Sequence, residues 1–329
     1  MSKYQYLYDL NDKANWLSPI TVKSPDGHVV EEQRTILLPE GARRHFTMTD
    51  SVMHATRPDG GPHLFHEHAF GYEIFFVDSG GMDVYINRQK AYIKPGSILF
   101  LQPYQTHGMF FRADTKYRGF FHDMPYNEEG EAASLLREYF PNFMEDPAFP
   151  KEIQPKGDFF IREPLAKFTE VPPEQCQPIR HRERPMAIYD LPEITMKMLT
   201  GRWENGGLCE LWCFEMKSGF HAQSYPYPVN TDLYYVTEGE VKFKVYDEEF
   251  TARAEQLVKI PMYAPRSFEA VADSVMYDVG GLPRWDAYLS DLESILTEDP
   301  VRAKDPAVLD SLRKKYGIHY SEFGKLGGW

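Results

Sequence analysis

The run His66-Glu67-His68-Ala69-Phe70-Gly71-Tyr72-Glu73-Ile74-Phe75-Phe76-Val77-Asp78-Ser79-Gly80 decides how the rest of the chain is read. Residues two apart in a strand share a face, so His66 and His68 are expected to point the same way. Glu73 opens an apolar strand that stops at Ser79-Gly80-Gly81, a turn signal. A further histidine, His107, comes after Pro103-Tyr104-Gln105-Thr106. Three imidazoles and one carboxylate suit one divalent transition metal per chain, with room for substrate or dioxygen beside them. The expected metal ligands are therefore His66, His68, Glu73 and His107. Iron is placed first, with Mn, Ni, Co, Cu or Zn as alternatives.

Around this run the text is strand after strand. Met82-Asp83-Val84-Tyr85-Ile86 and Ser97-Ile98-Leu99-Phe100-Leu101 are separated by Pro95-Gly96. That rhythm implies an antiparallel barrel or jelly roll. It returns between about residues 206 and 280 at an offset of 159 residues, pairing Gly80 with Gly239. At that offset Glu73 meets Asp232, His66 meets Tyr225, His68 meets Tyr227, and His107 falls at or next to Arg266. The second copy keeps the turns and lacks the imidazoles, so one metal is expected, in the first copy.

The fold class expected is all-β: two barrels in one chain, a helical connector and a helical C-terminal tail. The boundaries expected are 1–44 for N-terminal strands packing on the barrels, 45–125 for the metal-binding barrel, 126–200 for the connector, 201–282 for the second barrel and 283–329 for the tail. Helical spacing from Glu131 to Phe140 stops before Pro141. Trp285, Tyr288, Leu289, Leu292 and Leu296 follow a helical pattern. A second tail helix has Asp305 as its cap, Pro306 at its first position and Gly317 to end it.

These residues resemble the cupin superfamily, whose first motif, G-x5-H-x-H-x3–4-E-x6-G, is matched by Gly60 or Gly61, His66, His68, Glu73 and Gly80. The second motif is matched by Pro103-Tyr104-Gln105-Thr106-His107, with Gln105 near a position often held by glycine. Among cupins the layout looks most like the bicupin quercetinases, including the closing Asp305-Pro306-Ala307-Val308-Leu309 to Lys315-Tyr316-Gly317-Ile318. The resemblance implies a metal-dependent dioxygenase acting on an enolic or phenolic aromatic, flavonol-like substrate with O2. Glu73 either ligates throughout or takes a proton from a substrate hydroxyl. Two alternatives stay open: a non-redox isomerase or lyase for a sugar acid or ketone, and a non-enzymatic small-ligand-binding cupin.

Strand parity places Phe75 with Glu73, and Met109 and Phe111 with His107, with Met53 on an adjacent strand. They either line an apolar substrate pocket or simply fill the barrel. Arg57, Arg88 and Arg112 read as turn or surface residues. The net charge of -13 argues against a nucleic-acid partner. No run approaches the ~18 apolar residues of a membrane span, and the N-terminus lacks a signal-peptide apolar region. Cys176, Cys209 and Cys213 make an odd set; on one strand Cys209 and Cys213 would lie ~13 Å apart, too far to bond. A cytoplasmic protein is expected, a monomer with an internal pseudo-dimer or a homodimer. The expected outcome of His66→Ala is loss of bound metal and activity with the fold kept, whereas Tyr225→Ala leaves metal content unchanged; metal analysis of the purified variants checks both.

Overall fold

The structure is a computed structural model, and it describes residues 5–15, 20–23, 27, 29–40, 44–54, 63–68, 72–122, 158–161, 167–191, 193–204, 209–223, 231–280 and 285–316. The chain divides into two compact units, Ala14–His181 and Met1–Lys13 with Arg182–Trp329. The first unit has a seven-stranded sheet in the order Ile179–Arg180, Ile98–Leu101, Tyr72–Ser79, Thr115–His122, Arg44–Met53, Val29–Glu40 and Ile20–Lys23. Its second sheet runs Asp158–Ile161, His63–His68, His107–Phe111, Met82–Ile86, Gln89–Ile93 and Thr169–Glu170. One hydrophobic cluster draws Phe75, Val77, Leu99 and Leu101 from the first sheet and Val84, Ile86, Met109 and Phe111 from the second, so the sheets face each other. Residues 72–77 are all buried, which is why that strand reads as an unbroken apolar run rather than an alternation.

The second unit repeats the plan with a seven-stranded and a four-stranded sheet. The strands Asp232–Glu238, Glu240–Val245, Glu248–Arg253, Gln256–Ile260, Arg266–Ala270 and Ser274–Asp278 correspond to Tyr72–Ser79, Met82–Ile86, Gln89–Ile93, Ile98–Leu101, His107–Phe111 and Thr115–His122. The backbone repeats in finer detail. Left-handed residues pair at the same offset: Gly80 with Gly239, Asn87 with Tyr246, Gly96 with Glu255, Tyr104 with Tyr263. Gly80 has φ +79° and Gly239 has φ +75°; a Cβ at either would sit 2.3 Å from a carbonyl oxygen, of Asp114 or Asp273. Only glycine fits such a turn. Across each turn a hydroxyl does the same work. Gly81 N donates to Thr115 Oγ1 (3.1 Å), which donates to the Gly81 carbonyl. Glu240 N donates to Ser274 Oγ (3.0 Å), which donates to the Glu240 carbonyl.

Three findings refine the expected organisation. Leu7–Asp9 pairs with residues 256–258 of the second unit, whereas Ile20–Lys23 and Val29–Glu40 extend a sheet of the first, so residues 1–44 do not act as one group. Ala187–Leu191 and Ile194–Thr200, expected in the connector, form strands of the second unit. The units thus divide at 13/14 and 181/182 rather than at 45 and 201. The expected helix from Glu131 to Phe140 lies outside the described residues.

Both tail helices form, at Trp285–Glu298 and Pro306–Tyr316. Asp305 Oδ1 accepts the Ala307 N–H at 2.9 Å, an N-cap. Trp285, Tyr288, Leu289, Leu292, Leu309 and Leu312 join the second unit's core. No helix among the described residues is long and apolar enough to cross a membrane. Cys176, Cys209 and Cys213 are buried and take part in no disulfide.

A long-range cap fixes the first tail helix to the barrel. The buried Glu210 Oε2 accepts Trp285 N (2.9 Å), Asp286 N (3.3 Å) and Trp212 Nε1 (2.8 Å). The carboxylate therefore meets the helix's positive end and two of its otherwise unbonded N–H groups. Glu210→Ala should destabilise the second unit by at least about 1–3 kcal/mol, because buried donors lose their acceptor. Glu210→Gln, which keeps an accepting oxygen, should lose less; thermal or urea unfolding of the two variants checks the order.

Candidate metal centre

The backbone register brings the expected ligand positions together. His107 stands directly opposite His66 across an antiparallel pair, and His68 lies two residues further along the same strand. Positions opposite each other in such a pair, and positions two apart in a strand, share one face of the sheet. The side chains of His66 and His68 lie outside the described ones. Glu73 comes from the facing sheet, where it pairs with Leu101.

The two described side chains meet in the interior. His107 is 1% exposed and Glu73 4% exposed. The His107 Nδ1–H donates to the Gln105 carbonyl at 2.8 Å. A carbonyl can only accept, so Nδ1 carries a proton, and in the neutral ring Nε2 is the bare nitrogen. Nε2 lies 3.6 Å from Glu73 Oε2. That is longer than a hydrogen bond. It matches two donors of one metal ion, each ~2.1 Å from it and so roughly 3–4 Å from each other. A ligand histidine whose second nitrogen is tied to a backbone carbonyl is the usual support of a metal site. The pair thus fits a divalent ion. Among the described residues no group of three possible ligands forms, since this set includes the side chains of Glu73 and His107 alone of the expected four.

Met53, Phe75, Met109 and Phe111 are all buried in the first unit's core cluster. Phe75 meets Tyr117 edge to face at 5.1 Å between ring centres. Tyr117 escaped the sequence reading, although its pairing with Val77 puts it on the inner face beside Phe75. The arginines lie elsewhere. Arg112 is exposed, as expected of a turn or surface residue, and makes a two-pronged bond to the buried Asp83 (2.8 and 2.6 Å) while covering the Tyr92 ring. Arg118 lies 3.8 Å from Asp50 and 3.4 Å from Asp78, and Arg34 pairs with Asp50. Arg88 occupies a turn with φ +64°, and Arg57 lies outside the described residues. His54 is held between Glu32 (3.1 Å) and Asp114 (3.2 Å). Burial pulls its pKa down, but the two carboxylates outweigh that and raise it.

The second unit fills the corresponding place differently. Arg266 Nε lies 2.9 Å from Asp232 Oδ2, with both side chains almost wholly buried, and Arg266 Nη1 donates to the Pro261 carbonyl at 2.9 Å. A guanidinium stands where the first unit has an imidazole, and its partner carboxylate is in the Glu73 position.

No protein-family model matches the chain, and no curated protein matches its sequence. Solved structures do match. The Lactobacillus farciminis oxalate decarboxylase formate complex aligns with a TM-score of 0.53 at 11% identity, over 92% of this chain and 95% of that one. Bacillus subtilis oxalate decarboxylase at pH 4.6 aligns with a TM-score of 0.50 at 10% identity, over 86% and 78%. A structure from work on the Mn(II) centres of the B. subtilis enzyme aligns with a TM-score of 0.50 at 11% identity, over 84% and 77%. At these identities the likeness establishes the fold, the two-domain bicupin architecture.

The Arg266–Asp232 pair yields a measurable expectation. Asp232→Ala leaves a buried guanidinium without its carboxylate and should cost about 3–5 kcal/mol in unfolding experiments. Metal content should stay that of the wild type.

Proposed function

We propose that this bicupin is a metal-dependent enzyme that uses His66, His68, Glu73 and His107 to hold one divalent transition metal in its first barrel. The observation that carries the proposal is the buried approach of His107 Nε2 to Glu73 Oε2 at 3.6 Å, with His107 Nδ1–H donating to the Gln105 carbonyl. The oxalate decarboxylases of the same fold include one with Mn(II) centres, which weighs for manganese beside iron. Such an ion supplies Lewis-acid stabilisation of a deprotonated hydroxyl and, if redox-active, a route to dioxygen chemistry.

The finer reading is a dioxygenase acting on an enolic or phenolic aromatic. It is supported by the apolar character of the described barrel interior, with Met53, Phe75, Met109, Phe111 and Tyr117. A small dianion such as oxalate would call for a cationic side chain in the pocket, and among the described residues Arg34, Arg112 and Arg118 are instead engaged with Asp50 and Asp83. In this reading Glu73 accepts the proton of the substrate hydroxyl, and the apolar side chains keep water from the reacting carbons. His107, anchored through Nδ1, keeps its orientation throughout.

Oxygen uptake decides between the readings. Protein reconstituted separately with Fe, Mn, Co, Ni, Cu and Zn is offered flavonols and other enolic phenols, and carbon dioxide release is followed with oxalate. Uptake with one redox-active metal, reduced at least ~100-fold in Glu73→Gln, is the expected result. Carbon dioxide from oxalate without net uptake would replace the dioxygenase by a decarboxylase. Failure of the wild type to retain any divalent ion would remove the metal centre itself.

A further inference from the structure

We infer that Gln105 is a positioning residue, whose side chain clamps a strained turn so that its own carbonyl fixes the proton of His107; the inference rests on the metal-centre reading above. The turn runs from Gln102 to Gln105 and is closed by the Gln105 N–H to the Gln102 carbonyl at 3.3 Å. Pro103 takes its second position and Tyr104 its third, with φ +59°. That is the pattern of a type II turn, whose third position favours glycine or asparagine. A tyrosine there is 65% exposed, so little of it is packed to hold a left-handed conformation that costs a non-glycine residue energy.

The Gln105 side chain supplies what Tyr104 does not. It is buried, and its Oε1 accepts the Gln102 N–H at 3.3 Å. One residue thus closes the turn twice, once through its backbone and once through its side chain. The carbonyl so placed receives the His107 Nδ1–H at 2.8 Å. Without the clamp the carbonyl can swing, and the imidazole is free to exchange tautomers and present N–H rather than a lone pair toward Glu73.

The second unit provides an internal control. Its turn from Pro261 to Ala264 is closed in the same way, with the Ala264 N–H on the Pro261 carbonyl at 3.3 Å and Tyr263 at φ +65°. Ala264 stands at the Gln105 position and has no side-chain acceptor, and Pro261 has no N–H to offer. The residue two further on is Arg266, which has no tautomer to set and bonds the Pro261 carbonyl itself. The clamp occurs with the imidazole and is missing where a guanidinium replaces it. The same comparison shows that the turn forms without it, so removing the clamp leaves the fold intact.

The test uses the full chain. Gln105→Met keeps side-chain volume and removes the accepting oxygen; Gln105→Ala copies the second unit's turn and serves if the methionine variant fails to fold. In metal-free, 15N-histidine-labelled protein at a pH where the ring is neutral, two-bond 1H–15N spectra read the His107 tautomer directly. The wild type should show the Nδ1–H form alone, and the variant a mixture. Zinc or manganese affinity should fall ~10–100-fold in the variant, with the unfolding midpoint little changed. A variant that keeps the single Nδ1–H tautomer overturns the clamp, whatever its metal affinity. If the wild type takes up no divalent ion, the metal reading fails, while the tautomer shift still decides the role of Gln105.

Discussion

The approach of His107 to Glu73 is the constraint on which the first unit's chemistry depends. The two side chains come from facing sheets, and facing sheets pack ~10 Å apart, about the combined reach of an imidazole and a glutamate. Their 3.6 Å separation is therefore set by what packs between the sheets: Phe75 and Leu101 on one side, Met109 and Phe111 on the other. Interiors are close-packed, so a changed volume in that layer alters the distance between donors. Ligands on strands held in this way are positioned more tightly than ligands on loops.

Much of this was legible in the sequence. Strand rhythm, turn glycines and the two tail helices follow from local chemistry, and the offset repeat predicted the second barrel, whose left-handed turns the structure then shows at the same offset. What local chemistry cannot convey is the choice of a distant partner. Leu7–Asp9 joins the strand containing residues 256–258, a pairing decided by which sheet edge is open rather than by anything in the short strand. The expected boundary at 45 differs from the division for that reason, and the one at 201 because Ala187–Leu191 and Ile194–Thr200 pair into the second unit's sheet. Arg112 is the surface residue it was read as; what went unread is its partner, the buried Asp83 on the neighbouring strand. Parity identified the inner face correctly for Phe75, Met109 and Phe111. Parity cannot tell a cavity wall from a filled core, because both demand the same alternation.

The site was legible as residue types and not as protonation. His107 and Glu73 were marked by spacing, but the proton on Nδ1 comes from a carbonyl whose position depends on the turn before it. Gln105 stood out in the sequence only as a departure from glycine. Its meaning emerges from two hydrogen bonds that close on Gln102 from opposite ends of the same residue.

The duplicated barrels show two solutions to one electrostatic problem. A carboxylate buried between sheets is costly unless a cation neutralises it. In the second unit the cation is covalent: the Arg266 guanidinium holds Asp232 directly and adds a bond to the Pro261 carbonyl. That unit's interior is balanced by its own side chains. In the first unit the residue at the same position is an imidazole, which donates Nδ1–H to the Gln105 carbonyl, turns Nε2 toward Glu73 at 3.6 Å, and lacks the permanent charge of a guanidinium. With the ring neutral, as the proposed metal centre requires, the charge that balances Glu73 would come from the bound ion. On the proposed reading, the second barrel carries its own cation and the first would take its cation from solution.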